Sequence, residues 1–184
     1  MLEKVPCINC HAYHECLASR LNPEELKYLS QERKRKTFKK GQIIYKGNSD
    51  ANSLYVIVHG TVIMEIEDFE SNALIFSTAQ ENEWIGIESI SPSKTYELTA
   101  RSKNTVMCCE INRGVIDTLI KTNKTLLKKI FDKFCDERSK LIQYSLIMNS
   151  SSPNSKLAYA LVNLSDHNGL VTATKVEIAN MARL

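Results

Sequence analysis

From residue 115 to residue 148 the chain has neither proline nor glycine, and no other feature narrows its fold so far. Within that run apolar residues recur at Ile116, Leu119, Leu126, Ile130, Phe134, Leu141, Tyr144 and Met148, at spacings mostly near three, four or their sum. This spacing lines them along one side of a helix, so one long amphipathic helix is expected. Part of its stripe can lie on the rest of the molecule. The remainder needs another cover, most simply the same helix of a second subunit, so a homodimer through the long helix 115–148 is expected.

The preceding segment has a different texture. Between Phe38 and Ile111 short β-branched runs alternate with breaks, which predicts strands of about five to seven residues. Gly41, Gly47 and Gly60 fall at breaks around the runs 42–46, 53–59 and 61–67, where positive φ is needed. In the second run Leu54, Val56 and Val58 alternate with Tyr55, Ile57 and His59, so one face can line a core. His59, at a strand end, reads as structural rather than as a ligand. Residues 68–72 read as a hairpin loop before a strand at 73–79, and 91–93 as a loop before a strand at 96–101. Strands at this spacing suggest a sandwich or jelly roll. The last strand, 105–111, carries Cys108 and Cys109 in succession, and their side chains must point to opposite faces. Gly114 closes the unit.

Three thiols lie close together near the amino terminus, in Cys7-Ile8-Asn9-Cys10-His11-Ala12-Tyr13-His14-Glu15-Cys16. A pair separated by two residues can hold one metal centre from a single turn of backbone, and a third thiol six residues further on can return to it. Iron-sulfur clusters and closed zinc sites favour four ligands, so either His14 serves or one of Cys108, Cys109 and Cys135 does. The sequence Cys7-Ile8-Asn9-Cys10-His11 also fits covalent haem attachment, but that normally needs export, and the opening residues carry no export signal. Six cysteines in 184 residues is sparse for a secreted disulfide scaffold. No segment approaches the length of a membrane span, so no membrane partner and a cytoplasmic location are expected, where thiols stay free for metal or redox sensing. With 43% hydrophobic and 24% charged residues the chain can bury a core, and a net charge of +3 is only weak support for nucleic-acid binding.

The remaining parts are short. Asn22, Pro23 and Glu25 form a capping-box start for a helix. The basic run Arg33-Lys34-Arg35-Lys36 with Lys39 and Lys40 reads as a solvated connector, since nothing aromatic is interleaved to stack on bases. Residues 149–154 mark a linker, 155–165 a further helix and 167–169 a turn. Thr174-Lys175-Val176-Glu177 resembles a capping box opening a last helix, which is barely complete at Leu184. No Ser/His/Asp or Cys/His arrangement, phosphate loop or distinctive carboxylate pair suggests an enzyme.

This order of parts resembles that of the regulators related to the cyclic-AMP receptor protein. Phe38-x-x-Gly41-x-Ile43-Ile44-Tyr45-x-Gly47, followed by Leu54-Tyr55-Val56-Ile57-x-x-Gly60-x-Val62, is similar to their sensor barrel. Lys156-Leu157-Ala158-Tyr159-Ala160-Leu161-Val162-Asn163-Leu164-Ser165 and Thr174-x-x-Glu177-Ile178-Ala179-Asn180 resemble the start of their winged helix-turn-helix. Cys7-x2-Cys10-x5-Cys16 resembles the FNR branch, the fumarate and nitrate reduction regulators, whose fourth ligand precedes Glu-Ile at the end of a barrel strand. Here that position is Cys109, before Glu110 and Ile111. The resemblance implies a 4Fe-4S cluster on Cys7, Cys10, Cys16 and Cys109 that oxygen degrades, changing dimer geometry and operator binding.

The resemblance further implies an α+β fold with four parts: a cysteine loop and short helix at 1–36, a cyclic-nucleotide-binding-like β jelly roll at 37–113, a dimerisation helix at 114–149 and the truncated start of a winged helix-turn-helix at 150–184. A DNA operator, with a complete chain, and RNA polymerase are the partners it implies. Three positions depart from the family pattern. Gly86-Ile87-Glu88 and Lys94-Thr95-Tyr96-Glu97 replace the residues that hold a cyclic nucleotide, so none is expected. Leu141 stands where the oxygen-sensing branch has a carboxylate on its dimer seam, so the dimer is expected to reorient rather than separate. Arg183 stands where glycine is common, and the helix that reads base edges would follow Leu184.

Overall fold

The computed structural model describes residues 6–67, 73–91, 94–165 and 169–184. The expected hairpin loop at 68–72, and residues 92–93 and 167–168 of the two other expected turns, lie outside them. Among the described residues eight strands follow in order: β1 (Lys34–Phe38), β2 (Ile43–Tyr45), β3 (Ser53–His59), β4 (Val62–Glu67), β5 (Ala73–Ala79), β6 (Trp84–Ile85), β7 (Thr99–Ser102) and β8 (Val106–Asn112). They form two four-stranded antiparallel sheets, ordered β1-β8-β3-β6 and β2-β7-β4-β5, which is a jelly roll. Five α-helices accompany them among the described residues: α1 (Pro23–Glu32), α2 (Arg113–Thr122), α3 (Lys124–Met148), α4 (Pro153–Leu164) and α5 (Lys175–Ala182).

β3 explains the layering. Its first six residues are all buried because both faces of its sheet are covered. Tyr55 and Ile57 join Tyr45, Tyr96, Val106 and Cys108 inside the barrel. Leu54, Val56 and Val58 face the other way, into a core completed by Cys7, Leu17, Leu29, Cys109, Ile116, Leu119, Leu126 and Ile130. The amino-terminal segment and helices α1 to α3 are therefore the outer cover of this sheet. A third core joins α4 and α5 to the second sheet through Ile63, Ile75, Ala160, Leu164 and Met181. At the sheet corner Gly60 has φ +95°, and a Cβ there would come within 2.4 Å of the Thr105 carbonyl oxygen, so only glycine fits. His59 ends β3 exposed, its Nδ1 2.6 Å from Glu81 Oε1, in keeping with a structural role.

Three expectations change. The run 115–148 is not one helix: it breaks at Asn123, whose φ of −117° and ψ of 94° are extended. The Asn123 side chain accepts from the Leu126 amide at 2.8 Å, capping α3, while its Nδ2 donates to the Arg20 carbonyl at 2.9 Å and Glu25 Oε2 at 2.7 Å. One side chain thus starts α3 and ties it to α1 and the turn before it. The basic run is not a solvated connector either. It forms β1, paired along β8, with Arg33 buried just before it. The strand at 96–101 is also shorter than expected, because Tyr96 turns inward, where its hydroxyl donates to the Ser53 carbonyl at 2.8 Å. The capping boxes at Asn22 and Thr174 form as read.

Asn123→Ala removes a helix cap and two tethers, so it is expected to lower stability by about 1–2 kcal/mol. Urea denaturation of the two proteins measures this difference.

Candidate metal centre

Residues 7–16 fold as a chain of tight turns. The Cys10 amide donates to the Cys7 carbonyl at 3.1 Å, Tyr13 to Cys10 at 2.9 Å, and Cys16 to Ala12 at 2.9 Å. Each turn brings a thiol back to the inner side of the loop. The loop is fixed to β3 by His11, whose Nε2 lies 2.6 Å from the Val58 carbonyl oxygen. It is fixed to α3 by Lys129, which donates to the Cys16 carbonyl at 2.8 Å and Ser19 Oγ at 3.1 Å. A local pattern of cysteines at turn spacing therefore becomes a patch pressed on the outer face of the first sheet.

Cys109 meets that patch. The alternation along β8 sends Cys108 into the barrel and Cys109 to the outer face, as their placement in different cores shows. Cys7, Cys10, Cys16 and Cys109 together line one cavity, walled by Leu29, Val56, Val58 and Ile111. His14 is exposed with its ring on Tyr13, and it is not among the lining residues. Cys135 is exposed on α3. The cavity measures about 20 Å³, close to the room one water needs. Among the described residues no three His, Cys, Asp or Glu side chains are already grouped as a metal site. The donor set, four thiols in an apolar wall, suits an iron-sulfur centre or another thiophilic metal, but the loop must move outward to admit one.

Two cations share the cavity. Arg33 Nε donates to Cys7 Sγ at 3.0 Å, and Arg35 Nη2 reaches Cys10 Sγ at 3.4 Å. Arg35 sits directly across from Cys109 in the β1–β8 ladder. The sequence reading missed both, although their spacing of two residues in a basic run is the signature of one strand face. Burial pushes the Cys16 thiol up to about 12 and raises Cys109 as well, the latter opposed by Arg33 and Arg35. The closed site therefore holds these two thiols protonated. A larger cleft, about 440 Å³, lies between the barrel and α5, lined by Lys40, Arg101, Lys103 and Glu177, and it contains no thiol.

Residues 35–123 match the model of the cyclic nucleotide-binding domain. The fumarate and nitrate reduction regulatory protein of Vibrio cholerae is 27% identical over 163 residues, covering 88% of this chain and 64% of that protein. The anaerobic regulatory protein of Haemophilus influenzae is 26% identical over 163 residues, covering 88% and 63%. Over 88% of its length the chain is thus similar to regulators named for anaerobic or fumarate and nitrate reduction control. It spans under two thirds of the length of these curated relatives. The fold is shared with a c-di-GMP-responsive global regulator of Xanthomonas campestris, with a TM-score of 0.73 at 14% identity over 88% of this chain and 85% of that one. A crp/fnr-family regulator from Eubacterium rectale gives 0.70 at 18% identity, over 79% and 68%.

The protonated thiols predict a pH dependence. A fold that holds Cys16 protonated keeps that contribution below its ordinary value of 9.0 and loses it as pH rises toward about 12. Denaturant unfolding of metal-free protein is therefore expected to weaken progressively above pH 9.0, and less steeply in Cys16→Ala. Metal uptake, which requires thiolates, should release protons and tighten over the same range.

Proposed function

We propose that this chain is the sensor, dimerisation element and beginning of the DNA-binding domain of an oxygen-responsive transcription regulator that carries a 4Fe-4S cluster on Cys7, Cys10, Cys16 and Cys109. It has no enzymatic role in this reading. The observation that carries it is the convergence of the three loop thiols with Cys109, and not Cys108, on one cavity. When bound, such a cluster supplies an oxidant-labile centre that only thiolates hold well. Thiol chemistry of this kind belongs in a reducing compartment such as the cytoplasm. Among the described residues no helix is long and apolar enough to cross a membrane.

The loop can report its state because it is fastened to the helix that would form the dimer. Lys129 holds the Cys16 turn, and Leu127, Phe131, Phe134, Leu141 and Leu146 of the same helix are exposed apolar residues. Their stripe is the surface a second copy would cover in a homodimer. At its far end Tyr144 contacts Phe76 of the barrel, with ring centroids 4.6 Å apart, and Tyr159 of α4 at 5.8 Å. An outward shift of the loop would thus be felt along α3 and at the α4–α5 unit. That unit would place a longer chain's recognition helix on its operator, and RNA polymerase would be the further partner by family resemblance.

Cyclic nucleotide is not the signal in this reading. Tyr45 and Tyr96 stack with centroids 3.9 Å apart, and Tyr55 lies 5.6 Å from Tyr45, so aromatic side chains fill the barrel interior. Cyclic AMP is expected to leave the melting temperature unchanged, whereas a ligand bound to the folded state would raise it.

The two other readings keep the same fold. A cluster-free thiol-disulfide regulator would use the same close thiols and lose two hydrogens in mass on mild oxidation without metal. A structural zinc-binding interaction protein, read from the sequence with His14 as fourth ligand, would have to use Cys109 instead, since the cavity does not include His14. Anaerobic reconstitution with iron and sulfide is expected to give a broad absorbance near ~400 nm that bleaches in air. Cys109→Ala should abolish it and Cys108→Ala should not. Absence of iron uptake by the unaltered protein would overturn the proposal.

A further inference from the structure

Arg35 of β1 and Arg33, which just precedes that strand, face the thiols, while Lys36 lies on the other face of the same sheet, paired with Glu110 at 2.9 Å. The two arginines point at different sulfurs. Arg33 is only 8% exposed and gives Nε to Cys7, and Arg35 gives Nη2 to Cys10. A guanidinium is costly to bury unless negative charge faces it. Beside their other contacts, both guanidinium groups would face net negative charge in a four-thiolate iron-sulfur centre, since four thiolates outweigh the small net charge of the iron–sulfide core. Hydrogen bonds to cluster sulfurs and nearby charge are the levers by which a protein sets the reduction potential of such a centre.

We propose that Arg33 and Arg35 set the redox poise of the four-thiol site by favouring the electron-richer state of an anionic iron-sulfur centre. The inference rests on the reading of the preceding subsection. Arg33 and Arg35 are positioning residues: they hold charge and N–H groups at Cys7 and Cys10 without ligating anything themselves. The exchange concerned is one electron between the centre and a soluble redox mediator, with no bond to the chain made or broken. A positive charge at the sulfurs lowers the energy of the state carrying the extra electron, so removing it lowers the midpoint potential.

The test is a mediated redox titration of anaerobically reconstituted protein, followed by visible absorbance and electron paramagnetic resonance. R33Q and R35Q keep an N–H donor but lose the charge. Each is expected to shift the reduced-to-oxidised ratio at a fixed potential about tenfold toward the oxidised form, or about 59 mV for one electron. R33K should recover most of the shift. K36Q, which removes a charge from the other face, should leave the potential in place. R35Q decides the matter if R33Q fails to fold, because Arg35 is only partly buried. An unmoved potential in R35Q, a shift in K36Q equal to that in R35Q, or an R33K that behaves as R33Q would each overturn the assignment while leaving the cluster reading intact. An unaltered protein that takes up no iron would overturn both.

Discussion

The pairing of β8 with both β1 and β3 is the constraint on which the rest depends. It makes β8 a central strand, and the period-two alternation then separates two adjacent cysteines by the thickness of a sheet. A register slip of one residue would exchange them, putting Cys108 against the loop and Cys109 in the barrel. That slip is opposed on both faces at once. Ile111 and Cys109 would leave one core, and Val106 and Cys108 the other. Burying a side chain such as Ile111 is worth roughly 1.5–3 kcal/mol, so the register that selects the sulfur is set by hydrophobic packing.

The same packing makes the cysteine loop a structural part as well as a candidate sensor. Leu17 and Ala18 are each 1% exposed, and they cover the strand residues that Cys7 and Cys16 approach. A loop that only carried ligands could move freely. This one is stitched to β3 by His11 and to α3 by Lys129, so any displacement must break contacts at the barrel and at the helix together. In the proposed reading, local cost of this kind would convert a change at four sulfurs into a change in helix position, because packed interfaces switch between arrangements rather than deform smoothly.

Much of this was legible in the sequence, and the exceptions have identifiable causes. The strands at 53–59 and 73–79 and both capping boxes formed as read, because alternation and Asx or Thr caps are local signals. The choice of Cys109 over Cys108 came from a family resemblance, since alternation alone says only that the two differ. The helix break at Asn123 was hidden because helix termination usually announces itself with glycine or proline, whereas here an asparagine side chain does the work through partners about a hundred residues away. The gap in the apolar stripe between Leu119 and Leu126 was its one trace. Arg33 and Arg35 were hidden for a different reason: arginine is rarely buried, so a basic run argues for solvent unless something anionic waits for it.

That last point bears on how one barrel can be adapted to different signals. A jelly roll has an interior and an outer sheet face, and each can hold a ligand only if it is not filled by side chains. Here three tyrosines occupy the interior, with Tyr96 braced on Ser53 and Tyr55 on Glu110. The outer face is covered by a thin loop containing thiols, with two guanidinium groups beneath it. Filling the inside stiffens the sheet on whose other side the loop rests. In the proposed reading, a change at the four sulfurs would be relieved outward, through the loop and into α3, to which Lys129 fastens it. The chemistry and the lever are then on the same side of the same sheet.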